Sequence, residues 1–278
     1  TLQWDPDEQG RTFTKIEGLS RQAMALEPAV LVWPEGTFGL SETNYARMVA
    51  LIGKDGPDWI LGADDAVARE GEGAAGARPG LARYNAAFLR RGDGSMPPAY
   101  WKRRLVPFGE YMPMRELITA LTDRAALMPR DFSPGNTHGS IDIANVHFGI
   151  LICFEVADAG LALTDDDNAS AWIVHTNNAT YQFTGQSEQQ LLAGQMRAAE
   201  TQRPFIISST SGISAIIAPS GTVTDRISQT ETGVLVTTIE STAGKTGAML
   251  LYPVLRFALP LLAVGLIGLT YRRRTVGM

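Results

Sequence analysis

Apolar and polar positions along this chain fall into blocks that switch between helical and strand periods. Residues 7–27 set Ile16, Leu19, Ala23 and Leu26 on one helical side. Residues 42–53 predict a second helix. Residues 187–201 predict a third, with Leu191, Leu192, Met196 and Ala199 as its apolar residues. Short apolar runs at 29–33, 59–63, 146–153 and 171–176 predict strands, and 205–209, 213–218 and 234–239 predict later ones, with a turn at Pro219-Ser220-Gly221. Residues 84–89 and 99–102 predict a strand pair around Arg91-Gly92-Asp93-Gly94. The stretch 71–80, GEGAAGARPG, reads as a loop by its glycine content. Helices and strands intermix throughout, so the fold class is α/β or α+β with extensive sheet. There is no internal repeat and no clean boundary before about residue 245.

The C-terminal pattern is of another kind. Residues 247–271, GAMLLYPVLRFALPLLAVGLIGLTY, carry Arg256 as their one charge, and Arg272-Arg273-Arg274 follows at once. About 20 apolar residues suffice to cross a bilayer as a helix. Basic residues just past a span mark the cytoplasmic side, and Arg256 can snorkel to the opposite interface. The alternative is a buried core helix. Length, glycine content and the basic stop favour a transmembrane helix. The expected organisation is a catalytic domain over 1–245 outside the cytoplasm, a span over 247–271 and a basic cytoplasmic tail over 272–278. The segment 111–140 leaves two readings open. Met112, Met114, Leu117, Ile118, Leu121, Leu127 and Met128 fit either a connecting helix packed on the core or a lid of adaptable side chains over an acyl chain.

Composition narrows the function. Hydrophobic content of 45% and charge of 19% over 278 residues describe a folded chain with a sizeable core. A net charge of −5 argues against nucleic acid as a partner. His138, His147 and His175 lie far apart, without metal-ligand spacing, and no phosphate-cradling glycine loop follows a strand. Neither a metal nor a cofactor is expected. One cysteine leaves the redox compartment open. The chain opens on Thr1 with no signal-peptide pattern, which leads to the expectation of a segment from a longer protein.

Three acid–base groups stand at the ends of apolar runs: Glu35 in Val30-Leu31-Val32-Trp33-Pro34-Glu35, Lys102 in Tyr100-Trp101-Lys102, and Cys153 in Leu151-Ile152-Cys153-Phe154-Glu155. A thiol, a carboxylate and an amine are what covalent acyl chemistry needs: a nucleophile, a proton acceptor and a cation for the developing oxyanion. Each also has a plainer reading. Cys153 fits an inert core position, Glu35 a surface residue after a strand, and Lys102 a solvated patch with Arg103 and Arg104. Glu110 can pair with one of those arginines, and Asn177 and Asn178 can be turn residues.

Taken together, Trp33-Pro34-Glu35, Lys102 with Pro107-Phe108-Gly109-Glu110, and Cys153-Phe154-Glu155 resemble the three signatures of the nitrilase (carbon–nitrogen hydrolase) superfamily. The segment 102–113, the opening Leu2-Gln3-Trp4-Asp5-Pro6, Met196-Arg197-Ala198-Ala199-Glu200 and Ser211-Gly212-Ile213-Ser214-Ala215 resemble its apolipoprotein N-acyltransferase branch. The resemblance implies a four-layer α-β-β-α sandwich followed by a C-terminal transmembrane helix, at the cell membrane on the extracytoplasmic side. It also implies an N-terminal bundle of membrane helices upstream. By the same resemblance Glu35 is the general base, Cys153 the nucleophile, and Lys102 the oxyanion cation, helped by the Phe154 N–H. Glu110 orients Lys102 or the acceptor amine, and Glu155 supports the pocket. The implied donor is a phospholipid, and the implied acceptor is the N-terminal amine of a diacylglyceryl apolipoprotein, reached through a thioester. Phe154 stands where many relatives have Tyr, and Asn177-Asn178-Ala179-Thr180-Tyr181 where many have Asn-Asp-Ala-Trp-Phe. These positions, with Asn177, Asn178 and Tyr181 as substrate-binding candidates, bear on substrate detail. Two other functions remain open: a membrane-tethered carbon–nitrogen hydrolase using the same triad with water, and a non-catalytic tethered interaction domain.

Overall fold

The computed structural model describes residues 6–39, 42–53, 56–67, 82–95, 100–121, 131–181, 184–240 and 244–276. The loop expected at 71–80, the opening residues 2–5, and Leu127 and Met128 lie outside the described residues.

The first half of the chain builds one sheet. Strands β1 (Val30–Val32) and β2 (Phe38–Gly39) both run parallel to β3 (Asp58–Val67). β3 pairs antiparallel with β4 (Ala82–Arg90), and β4 with β5 (Tyr100–Trp101). Two helices, α1 (Pro6–Met24) and α2 (Glu42–Ile52), cover one face. The two-residue period of β3 explains both faces. Trp59, Leu61 and Ala63 pack with Phe13 and Ile16 of α1, Met48 of α2 and Trp33, whereas Ile60 points to the other side. The Trp33 ring sits edge-on to Phe13 and Trp59, with centroids 5.6 and 5.4 Å away. Burying each such side chain contributes about 1.5–3 kcal/mol.

A short helix α3 (Arg115–Leu121) leads to the second sheet. Met114 and Leu117 are 71% and 54% exposed, so the reading of this segment as a helix packed on the core fails at these two positions. The second sheet holds β6 (Ser140–Ile143), β7 (Val146–Ile152), β8 (Ala171–Thr176), β9 (Phe205–Ser209), β10 (Ser214–Ile217) and β11 (Val223–Ile227), in the order β11-β10-β9-β8-β7-β6. The central β7, β8 and β9 are parallel and the outer pairs antiparallel. Parallel strands buried on both faces need continuous apolar runs, which is what the sequence carries here. Ile150, Ile152, Ala171 and Ile173 face the first sheet and meet Ile60, Ala87, Leu89 and Tyr100. Leu151, Trp172 and Val174 face outward and meet Leu191 and Ala198 of α4 (Gln186–Thr201). The layers run helix, sheet, sheet, helix, as expected.

Two details depart from the sequence pattern. Residues 234–239 form no strand: Val236 is exposed, and only Ile239 packs against the inter-sheet core. On α4 the buried face runs through Ser187, Gln190, Leu191, Gly194, Arg197 and Ala198, leaving Leu192 and Met196 exposed.

Helix α5 (Gly247–Val276) continues through the arginine run at 272–274. Its segment Gly247–Leu269 is long and apolar enough to cross a membrane and, apart from Met249 near its start, is not buried, so the buried core-helix alternative does not hold. At about 1.5 Å per residue this segment covers about 34 Å, against about 30 Å of hydrocarbon. Its start is tied to the domain. The Arg203 guanidinium donates to the Gly244 carbonyl (2.7 Å), Lys245 pairs with Asp167, and the Thr246 hydroxyl donates to the Glu200 carbonyl (2.6 Å). Met249 is buried and Tyr252 lies against Gly160.

Candidate active site

Glu35 follows β1 on a turn that the first sheet holds tightly. The Trp33 N–H donates to the Ile60 carbonyl (2.8 Å), and the Thr37 hydroxyl donates to Pro34 O (2.8 Å). Gly36 takes φ +66°, where a side chain is strained. Gly62 on β3 leaves room for this turn, since a Cβ there would stand 2.4 Å from Pro34 O. Glu35 is 5% exposed. Its Oε1 accepts from Asn85 Nδ2 (2.5 Å) and its Oε2 from the Asn177 N–H (2.7 Å). The surface reading of Glu35 is therefore wrong.

Lys102 follows β5 and is 1% exposed, which also removes the reading as a solvated patch. Its N–H donates to the Asn85 carbonyl (2.8 Å), and its Nζ meets Glu110 Oε1 (2.9 Å) and Oε2 (2.8 Å). Burial pushes the ammonium toward the neutral form, but negative charge at Cys153, Glu35 and Glu110 outweighs it and raises the pKa. Glu110 sits in the turn after Lys102. It also accepts from Asn85 Nδ2 (2.9 Å) and from the Val106 N–H (2.8 Å). Its partners are thus the site lysine and Asn85; neither Arg103 nor Arg104 pairs with it, their carboxylates being Asp165 and Asp158.

Cys153 ends β7 and opens a 3₁₀ turn, Cys153–Ala157, at φ +55°. A non-glycine residue in that region is uncommon and marks strain held by its surroundings. Burial, then Glu35, push the thiol up to about 12, with Lys102 and the Thr176 hydroxyl opposing. Gln190 Nε2 approaches Sγ at 3.8 Å. Phe154 holds the second position of the turn, where no carbonyl of the turn itself reaches its N–H. Its ring is half exposed, as is that of Phe108 in the turn carrying Glu110.

Glu155 is fully buried and binds both ends of this arrangement. It accepts from the N–H groups of Arg103 (2.8 Å), Arg104 (3.0 Å) and Ile152 (2.9 Å) and from the Tyr100 hydroxyl (2.9 Å). Burial raises its pKa; the N–H bonds and Lys102 pull the other way. It thereby fastens the chain beyond Lys102 to the chain before Cys153.

Glu35 and Glu110 both accept from Asn85 Nδ2 and Glu110 accepts from Lys102, while Cys153 and half-buried Tyr181 lie near enough to feel the charges of Glu35, Lys102 and Glu110. Asn177 borders this cluster through its N–H on Glu35, while its Oδ1 accepts from the Ser211 hydroxyl (2.7 Å) and the Ala179 N–H (3.1 Å). Asn178 lies behind it, buried, with Nδ2 donating to Gln190 Oε1 (2.8 Å) and Ser187 Oγ (3.1 Å).

Sequence reasoning missed Asn85, Gln190 and His175. The last donates from Nδ1 to the Trp33 carbonyl (2.6 Å), tying β8 to the Glu35 turn. A polar residue inside an apolar run was the available signal for His175; Asn85 and Gln190 carried none.

Comparisons with known proteins bear on the family and the fold. A family model described as carbon-nitrogen hydrolase matches residues 3–247. An apolipoprotein N-acyltransferase of Brucella suis biovar 1 is 31% identical over 242 residues, covering 84% of this chain and 44% of the relative. Those of Geobacter metallireducens and Coxiella burnetii are 31% and 28% identical, over 79% and 89% of this chain and 42% and 49% of theirs. The chain thus spans under half the length of these curated relatives. Among solved structures, a carbon-nitrogen hydrolase from Helicobacter pylori G27 superposes with a TM-score of 0.57 at 16% identity, over 81% of this chain and 82% of that one. An amidase from Nesterenkonia sp. gives 0.54 at 16%, over 80% and 81%. At that identity the structures speak for the fold alone.

Proposed function

The chain belongs to the carbon–nitrogen hydrolase family, and from that premise we propose that it is the catalytic part of a membrane acyltransferase that N-acylates apolipoproteins. The observation that supports the chemistry is geometric: Asn85 bonds both Glu35 and Glu110, Glu110 bonds buried Lys102, and buried Cys153 lies within reach of their charges. The names of the curated relatives and the clamped apolar helix α5 support the membrane substrates.

In the proposed reaction Cys153 Sγ attacks the ester carbonyl of a phospholipid while Glu35 takes the thiol proton. With the thiol held near pKa 12, attack and proton transfer go together. Lys102 and the Phe154 N–H face the oxyanion. The C–O bond then breaks, Glu35 returns the proton to the leaving alkoxide, and lysophospholipid departs. The N-terminal amine of a diacylglyceryl apolipoprotein attacks the thioester, Glu35 takes a proton from the amine, and the amide forms as the thiol is restored. Glu110 orients Lys102, Glu155 holds the pocket's two walls, and Asn177 and Tyr181 line the substrate side with Asn178 behind them. The catalytic domain, proposed to span 1–245, sits on the extracytoplasmic side, with 247–271 as the span and the basic residues after it inside.

The test supplies the intact membrane protein with phospholipid and weighs the protein. The expected result is a single acyl adduct on Cys153 with an equal amount of lysophospholipid, both missing in Cys153→Ala. Lysophospholipid and adduct absent from the unmodified protein contradict the proposal.

A further inference from the structure

The cluster holds two carboxylates side by side, and what separates them is an amide. Asn85 lies on β4 and is 4% exposed. Its Nδ2 donates to Glu35 Oε1 at 2.5 Å and to Glu110 Oε1 at 2.9 Å, and its carbonyl receives the Lys102 N–H at 2.8 Å. Its own Oδ1 is buried and has no hydrogen-bond partner among the described residues. A primary amide brings two N–H donors and no titratable proton. It can therefore bind two ionised carboxylates at once. An acid in its place adds a third negative charge, and an alcohol has one proton for two acceptors. The unpartnered Oδ1 points the same way. Leaving a buried acceptor unpaired is costly, and turning the amide round sets its oxygen against both carboxylates. Two positions on, and so on the same face of the strand, stands Ala87, which fills its place without that cost.

We propose that Asn85 is a positioning residue that clamps Glu35 and Glu110 as a pair of ionised carboxylates around Lys102, so that Glu35 is free of a proton when Cys153 must release one. The inference rests on the acyl-transfer reading above. Glu35 faces Asn85 from β4, Lys102 beyond β5, Glu110 from the turn at 106–111, Cys153 beyond β7, and the Asn177 N–H and Tyr181 beyond β8. Glu110 disfavours its charge; Lys102 and the two N–H donors favour it. Losing a hydrogen bond to a charged acceptor moves the titration of that acceptor by about 1–2 pH units. Glu155 also accepts several N–H bonds, but its partners are backbone groups and Tyr100, whereas Asn85 bridges the two acids of the site.

The test uses the intact membrane protein with a p-nitrophenyl ester of a medium-chain fatty acid, an acyl donor that needs no lipid recognition. Initial acylation of Cys153 is weighed by mass spectrometry from about pH 4 to about pH 9, where the acid limb reports the proton acceptor. Asn85→Leu removes both donors at similar volume, and Asn85→Asp replaces them with a third carboxylate at the same shape. Both variants are expected to move the acid limb upward, Asn85→Leu by about 1–2 pH units, with Asn85→Asp at least as far. Below the limb, acylation falls about 10–100-fold more than it does above it. A residue that merely fills the strand lowers stability and total rate but leaves the limb where it was. An unmoved limb in both variants overturns the inference, whatever the loss in rate. An unmodified protein whose Cys153 takes up no acyl group overturns the acyl-transfer reading, and the inference with it.

Discussion

A buried thiol decides what its neighbours must do. Cys153 is pushed up to about 12 first by burial and then by Glu35, more than Lys102 and Thr176 can offset. A raised thiol is protonated below that value, so no standing thiolate waits in the site. The prediction concerns iodoacetamide. Alkylation of Cys153 should be slow near neutral pH and keep rising through about pH 10–11, past the point near 8.5 where a free cysteine levels off. A plateau near pH 8 would show a thiolate already formed and remove the need for Glu35 as acceptor. At this scale the candidate triad was legible because each member ends an apolar run, where a charge or thiol stands out. Asn85 was not, because it sits inside β4 with ordinary polar–apolar alternation around it. Which side of that strand faces two acids depends on turns contributed by residues 33–37 and 106–111. Gln190 was hidden in the same way, on a helix whose buried face holds Ser187 and Arg197 along with Leu191.

Between elements, the tie that matters most for the site is His175, which joins β8 of one sheet to the turn after β1 of the other. Burial drives its pKa down to about 4, with the hydrogen bond to Trp33 O opposing. The folded protein therefore keeps it neutral, while the unfolded chain takes up a proton once the pH falls below about 6.5. This stability is fully present above about pH 6.5 and is lost as the pH falls through about 4. The loss is of order 3 kcal/mol. His175→Asn keeps a donor for Trp33 O without a titratable ring. Thermal unfolding in detergent should show the unmodified protein losing more stability than this variant between about pH 6.5 and 4; equal losses would place the tie elsewhere. The elements themselves divide by burial. β8 matches its apolar run residue for residue, because a strand buried on both faces leaves no ambiguity. The run at 234–239 is just as apolar, yet the sheet ends at β11, so it finds no strand to pair with. β11 itself, Val-Thr-Asp-Arg-Ile, is a half-exposed edge whose polar residues concealed it.

Across the whole molecule, the four-layer domain and α5 are joined without slack. Arg203, Lys245 and Thr246 hold the chain into the helix, Met249 is buried, and Tyr252 meets Gly160 two residues from Asp158, the partner of Arg104. Arg104 in turn lies two residues from Lys102. Few residues therefore separate the proposed oxyanion cation from the first turns of the apolar helix, a geometry suited to a donor and acceptor that both reside in a membrane. The apolar length of 247–271 was plain in the sequence. The clamp was not, because two of its ties end on backbone carbonyls and the third pairs Lys245 with Asp167, far off in sequence. The most direct measurement supplies the intact protein, in membranes with phospholipid, with a diacylglyceryl-cysteine peptide and weighs the peptide. The account predicts a gain of one acyl chain on the peptide's amine, abolished by Cys153→Ala. A peptide left unacylated by a folded, membrane-inserted protein that still hydrolyses small amides would contradict it.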